Sequence, residues 1–165
     1  MDILEYMSNQ KYEQLTMITD PGVGLKAVIA IHDTTLGPSC GGTRIWPYES
    51  EAAAIEDALR LAKAMSYKSA VADLPLGGGK AVIIADSHTQ KTEAMLRSFG
   101  RFVETLSGRY LTTTDVGSTG RDLEYIRQET KHVVGLPTTM GGSGDTSVMT
   151  GLGIYVGMKA AAKEI

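Results

Sequence analysis

The chain has one cysteine, Cys40. No internal disulfide can form, and such sparing use suits a reducing compartment, the cytoplasm. No apolar run approaches the roughly 20 residues that span a bilayer, so no membrane partner is expected. The first residues carry Asp2 and Glu5 and lack the basic-then-apolar pattern of a secretory leader. A dominant charge is also missing. Sixteen Lys and Arg against nineteen Asp and Glu leave a net charge of −3, too mild to recruit nucleic acid or an anionic membrane. There is no internal repeat and no low-complexity stretch. What remains is 165 residues, 42% hydrophobic and 21% charged, a composition that suits one globular domain able to bury its core without staples.

Glycine, by contrast, is plentiful. Its 19 copies cluster at 37–42, 77–79, 117–120, 135–144 and 151–157. Such clusters read as loops between periodic segments, serving either close backbone approach at several places or plain tight turns.

Residues 15–20 and 25–33 read as strands joined at the turn Pro21-Gly22-Val23-Gly24, a hairpin. Residues 34–48 read as a loop. Ser50 can cap a helix from Glu51 to about Tyr67, with Ile55, Ala58, Leu61, Ala62 and Met65 on its buried face. Lys68 extends that stripe, either snorkelling to water or held inside for an anion. Residues 69–74 and 81–86 are expected as strands, 92–106 as a helix with Ala94, Met95, Phe99, Phe102, Val103 and Leu106 inward, and 110–116 as a strand. A helix over 121–130, a short strand at 132–134 and a last helix from Ser147 complete the pattern. Alternating elements predict an α/β fold with a mixed open sheet flanked by helices.

The stretch Leu74-Pro75-Leu76-Gly77-Gly78-Gly79-Lys80 carries the most chemistry. A lysine entering a buried strand is costly to keep charged, so its pKa should fall toward a range useful for proton transfer. The bland alternative is a glycine turn with an exposed lysine. A phosphate loop is excluded: Leu74 stands where the first glycine belongs, Ala81 where Ser or Thr belongs, and a strand follows instead of a helix. Asp115 sits at a strand end with glycine just beyond. It reads either as a site acid or as a cap for the next helix, a role for which Ser118 and Thr119 compete. Arg44 and Trp46 read as loop packing. His32, His88 and His132 share no metal-ligand spacing and read as structural or surface residues. Cys40 has no sequence neighbour suited to nucleophilic work.

Gly151-Leu152-Gly153-Ile154-Tyr155-Val156-Gly157 superficially matches a dinucleotide fingerprint, but only eight residues follow it, too few for the second strand and its acid. These glycines read as close helix packing. The helix-forming residues 155–165 show neither cap nor stop, which suggests a truncated product.

Together, Thr35-Leu36-Gly37-Pro38 with Gly41-Gly42-Thr43-Arg44, Ala62-Lys63-Ala64-Met65-Ser66-Tyr67-Lys68, Leu76-Gly77-Gly78-Gly79-Lys80, Thr114-Asp115-Val116-Gly117 and Gly142-Ser143-Gly144-Asp145 resemble, in order, the amino-acid dehydrogenase family that includes the glutamate, leucine, phenylalanine and valine enzymes. The likeness is strongest to the leucine branch. It implies that residues 1–150 form a substrate-binding and oligomerising domain and 151–165 the start of an inter-domain helix. The C-terminal NAD-binding Rossmann domain is absent from this chain, which alone is expected to be inactive. The implied reaction is reversible oxidative deamination of an L-amino acid to a 2-oxo acid, ammonium and NADH, in a homo-oligomer. By resemblance, Lys68 anchors the substrate carboxylate with backbone amides around Gly41 and Gly42, Lys80 is the general base, and Asp115 shuttles protons. Met65 lies against the substrate, and Thr150 meets the nicotinamide amide. Cys40, Thr113 and Val134 occupy pocket-lining positions where leucine enzymes usually carry an apolar residue, alanine and threonine, so branched-chain preference is open. Thr146-Ser147-Val148 replaces a usual Pro-Ser-Pro, so a looser loop is expected there. The rival reading is a non-enzymatic amino-acid-binding or oligomerisation module.

Overall fold

The computed structural model describes residues 2–164. Met1 and Ile165, the first residue of the stretch expected to carry no secretory leader and the last of the stretch expected to be helical, lie outside the described residues. A short helix α1 (Ile3–Gln10), to which the sequence reading assigned no element, is capped by Asp2 and leads into the hairpin β1 (Gln14–Asp20) and β2 (Leu25–Asp33). Then follow β3 (Ser39–Trp46), α2 (Glu51–Val71), β4 (Gly77–Ile84), α3 (Glu93–Thr105), β5 (Tyr110–Thr114), α4 (Gly120–Arg127), a 3-10 turn at Thr138–Met140, and α5 (Ser147–Ala161). The sheet order is β1-β2-β4-β3-β5. The β1–β2 and β2–β4 pairs are antiparallel, whereas β3 pairs in parallel with both β4 and β5. The sheet is therefore mixed and open, as its alternating pattern predicted.

Four local readings are corrected. Residues 39–46 are a strand where a loop was expected, and all three glycines at 77–79, read as a loop serving either close backbone approach or a tight turn, lie inside β4 and serve close approach. Both errors have one cause. Glycine in these strands is not punctuation but a place where a neighbour comes too close for a side chain. A Cβ at Gly78 would stand 2.2 Å from the Ser66 nitrogen and 2.4 Å from the Ala62 carbonyl oxygen, so α2 rests directly on the β4 backbone. The strand expected at 69–74 does not form: 69–71 belong to α2, because Ser69 still turns into the interior, and 72–74 leave it through a turn in which the chain breaks out at Asp73, whose φ is 54°. Residues 132–134 form a single bridge, Val133 to Thr112, and no full strand.

Two cores flank the sheet. On one face α2 packs Ala54, Ile55, Ala58, Leu59 and Ala62 over Val28, Ala30 and Val82. Leu59 thus joins this face, while Leu61 and Met65 are only half-buried. On the other, α3 brings Met95, Leu96, Phe99 and Val103 against Ile29, Ile31, Ile45 and Ile83, with Leu123 and Ile126 of α4. Leu96 takes the inward place expected of Ala94, which is exposed. Ser50, Thr92 and Thr119 each cap their helix by accepting a backbone N–H. α5 buries none of its residues among those described. Among the described residues, no helix is long and apolar enough to cross a membrane.

Candidate active site

Period-2 alternation along β4 sends Ala81 and Ile83 to the α3 side and Lys80 and Val82 to the α2 side. Lys80 is thereby driven inside, 4% exposed, in the middle of a strand. Its Nζ meets Asp115 Oδ2 at 3.0 Å. Asp115 stands just past the end of β5, and the loop that holds it is pinned from several directions. The Asp115 N–H donates to Ser118 Oγ (2.8 Å), which itself donates to the Thr43 carbonyl (2.7 Å). Lys91 donates to the Gly117 carbonyl and to Asp122, the capping-box acid of α4. Thr119 takes the cap of α4, so Asp115 is not used as one.

Gly42 makes the approach possible. A Cβ there would lie 2.5 Å from the Thr114 carbonyl oxygen and 2.7 Å from Asp115 Cβ. Two residues on, along the same face of β3, Arg44 donates from Nε to Asp115 Oδ2 at 2.8 Å and from an Nη to Asp57 Oδ2 at 2.8 Å. Asp57, on α2, also accepts from the Tyr48 hydroxyl (2.6 Å) and from Arg60 (2.7 Å). A charge chain thus runs Lys80–Asp115–Arg44–Asp57. Arg44 is not a packing residue, and it, Asp57 and Tyr48 were missed as site residues. Had residues 39–46 been read as a strand, period 2 would have set Arg44 on the same face as Gly42.

Burial pushes the Lys80 ammonium below its ordinary pKa, the nearby Asp115 works against this, and Arg44 adds to the fall. Burial by itself would raise the Asp115 carboxyl, but Lys80 and Arg44 outweigh it and hold it below the usual carboxylate range. Burial raises the Asp57 carboxyl likewise, and Tyr48, Arg60 and Arg44 together hold it low. The result is a lysine biased to give up its proton beside a carboxylate biased to stay ionised, an arrangement suited to proton transfer.

Asp115 faces a cavity of about 720 Å³ that also meets Lys68 in the last turn of α2, Asp145, and Thr150 and Ile154 of α5. The structure thus brings together Asp115, Lys68 and Thr150, with Lys80 immediately behind Asp115. Lys68 is exposed, the snorkelling form of the two readings. The Thr150 hydroxyl donates to the Thr146 carbonyl (3.0 Å). The loop expected to be looser is tied by Ser147, whose N–H and hydroxyl both donate to Asp145.

Other candidates lie around, not in, that cavity. Gly41 and Gly42 are buried inside β3, where pairing with β4 stops at Cys40–Gly78 and resumes at Thr43–Ala81. The Gly41 carbonyl accepts from the fully buried Tyr110 hydroxyl at 2.8 Å, a contact the sequence did not disclose. Cys40 is buried, which pushes its thiol pKa up. Met65 is half-buried one turn before Lys68. Thr113 lies against Gly135, where a Cβ would stand 2.6 Å from the Thr113 hydroxyl, and Val134, 37% exposed, precedes that glycine. His32 is buried and shares a 2.8 Å hydrogen bond with Ser66. Among the described residues no cluster of three or more His, Cys, Asp or Glu could hold a metal.

The family model for the Glu/Leu/Phe/Val dehydrogenase dimerisation domain matches residues 12–132. The chain is 56% identical over 163 residues to leucine dehydrogenase from Bacillus subtilis, covering 99% of this chain and 45% of that protein. It is 52% identical over 158 residues to phenylalanine dehydrogenase from Bacillus thermotolerans, covering 96% and 41% respectively. The crystal structure of L-tryptophan dehydrogenase from Nostoc punctiforme superposes with a TM-score of 0.79 at 46% identity, covering 98% of this chain and 45% of that one. The chain therefore spans less than half the length of the curated relatives it matches. With the family model covering most of its residues, the chain belongs to the Glu/Leu/Phe/Val dehydrogenase family and contains its dimerisation domain.

Proposed function

We propose that this chain is the N-terminal part of an NAD-dependent L-amino-acid dehydrogenase acting on a branched-chain or other hydrophobic L-amino acid. The observation that carries this reading is the buried Lys80 paired with Asp115 at 3.0 Å beside a cavity that Lys68 also lines. The Lys68 ammonium binds the substrate carboxylate, helped by backbone amides around Gly41 and Gly42, where the pairing with β4 is interrupted. Lys80, with its lowered pKa, takes the proton from the water that attacks the imine carbon. Asp115, its carboxylate kept ionised, passes protons to and from the amino group. Met65, Cys40, Thr113 and Val134 contribute to the lining of the side-chain pocket. A nicotinamide fits at Thr150, whose oxygen donates to Thr146 yet keeps lone pairs for an amide N–H beside the same cavity. When bound, NAD supplies the acceptor for the substrate hydride.

The leucine, phenylalanine and tryptophan enzymes among the relatives support a hydrophobic substrate. In this reading residues 1–150 bind substrate and assemble the homo-oligomer, 151–165 begin the helix toward a C-terminal Rossmann domain that holds most of the NAD, and the protein works in the cytoplasm. A mere scaffold has no use for a buried lysine, which costs stability. Replacing Lys80→Ala in the protein as its source organism makes it should abolish turnover of L-leucine, L-valine and L-phenylalanine; near-normal turnover would sink the assignment. The 165-residue chain by itself is expected to form no NADH.

A further inference from the structure

The Asp115 carboxylate is held asymmetrically. Both of its cationic partners, Lys80 at 3.0 Å and Arg44 at 2.8 Å, meet Oδ2, and Oδ1 accepts no hydrogen bond from the described residues. The two partners are not equivalent. A lysine whose pKa is lowered by burial spends part of its working cycle neutral, and a neutral amine holds a carboxylate weakly. A guanidinium never loses its charge in this range. It is also planar, and here it bridges two acids, Asp115 through Nε and Asp57 through Nη1, each at 2.8 Å. Asp57 is itself anchored to the Tyr48 hydroxyl and to Arg60. The far side of Arg44 opens on a separate cavity of about 510 Å³ with Trp46, Tyr48, Asp57, Arg60 and Val116, so Arg44 stands behind the reacting groups and does not face the Lys68 cavity.

We propose that Arg44, aimed by Asp57, is a positioning residue for the Lys80–Asp115 pair: it clamps Asp115 by Oδ2 throughout the cycle and leaves Oδ1 for the substrate amino group. This rests on the dehydrogenase reading and deepens it. Lys80 alone cannot do this, because its hold on Asp115 fails at the moment its proton leaves. The charged and titratable groups around Asp115 are Lys80 from β4, Arg44 from β3, Tyr48 from the segment after β3, Asp57 and Lys68 from α2, and Asp145 across the cavity; the Tyr110 phenol lies behind the sheet. Arg44, in direct contact with Asp115, favours the ionised Asp115 and the neutral Lys80 together.

The test uses Arg44→Gln, Arg44→Lys and Asp57→Asn in the protein as its source organism makes it. Two readouts apply: the pH profile of kcat/KM, and the titration of the Asp115 carboxyl by carbon-13 NMR, with its signal assigned through Asp115→Asn. In Arg44→Gln the Asp115 midpoint should rise by about one unit or more, and the acid limb of the profile should move with it. Arg44→Lys keeps the charge but cannot bridge both acids. It should restore most of the midpoint while kcat stays at least tenfold down and KM changes little. Asp57→Asn should lower kcat in the same way with a smaller shift. An Asp115 titration and acid limb unchanged in Arg44→Gln would overturn the proposal, as would full rescue of kcat by Arg44→Lys. If Arg44→Gln fails to fold, the Arg44→Lys and Asp57→Asn results decide. Failure of the dehydrogenase reading looks different, since it appears as turnover retained by Lys80→Ala, whereas the NMR titration of Asp115 is independent of turnover.

Discussion

Replacing Gly42→Ala adds one methyl group at the point where β3 meets Asp115. Its carbon would stand 2.5 Å from the Thr114 carbonyl oxygen and 2.7 Å from Asp115 Cβ, where ordinary contact begins at 3.4 Å. The neighbours must retreat by about 0.9 Å and about 0.7 Å respectively. Neither can do so by swinging a flexible tip, because one is backbone and the other is the root of the Asp115 side chain. The loop is held by Ser118 and Lys91, so the shift strains a pinned segment. Overpacking of this kind costs about 1–3 kcal/mol. Its effect on chemistry should exceed its effect on stability, since a misplacement near 1 Å can cost on the order of 100-fold in rate. Urea denaturation of the 165-residue chain should therefore show a loss in that range, and kcat in the natural protein should fall by about two orders of magnitude. Gly153→Ala serves as control, because nothing lies within 4 Å of its added carbon. A Gly42→Ala protein with wild-type stability and kcat within twofold would refute the claim that Gly42 admits Asp115 to Lys80.

Lys80→Met tests the buried ammonium by pH. The unfolded chain keeps that proton to about pH 10.4, while the folded chain releases it at a lower value, so this group makes wild-type stability rise with pH between the two. The variant should lack that rise, and denaturation midpoints of the two proteins measured from pH 7 to 10 should draw apart in favour of the wild type as pH increases; parallel curves would contradict it. On the acid side stability again rises with pH, but from a gain in the ionised form instead of the removal of a penalty. The Asp115 carboxyl is held low, so its contribution is present above the unfolded value near 3.9 and fades as pH falls through the folded one. Tyr110→Phe leaves the buried Gly41 carbonyl without its 2.8 Å donor and should destabilise the chain by about 1–3 kcal/mol; a loss of only a few tenths in thermal or urea unfolding would show that the bond is dispensable.

Amino-acid order by itself determined the α/β class, the hairpin, the caps at Ser50 and the helices they start, because these depend on neighbours within a few residues and on apolar period. It also singled out Lys80 and Asp115, since a lysine in an apolar strand and an acid at a strand end are odd wherever they sit. Tertiary structure decided the rest. Gly41, Gly42 and Gly78 read as loop residues until the strands and α2 that press on them are in place. Arg44 looked like packing because its two acids lie 13 and 71 residues away in sequence. Tyr110 showed nothing unusual until its hydroxyl reached Gly41 across 69 residues. A close approach and a charge network are properties of pairs brought together by the sheet order β1-β2-β4-β3-β5, and no local window contains both members of such a pair.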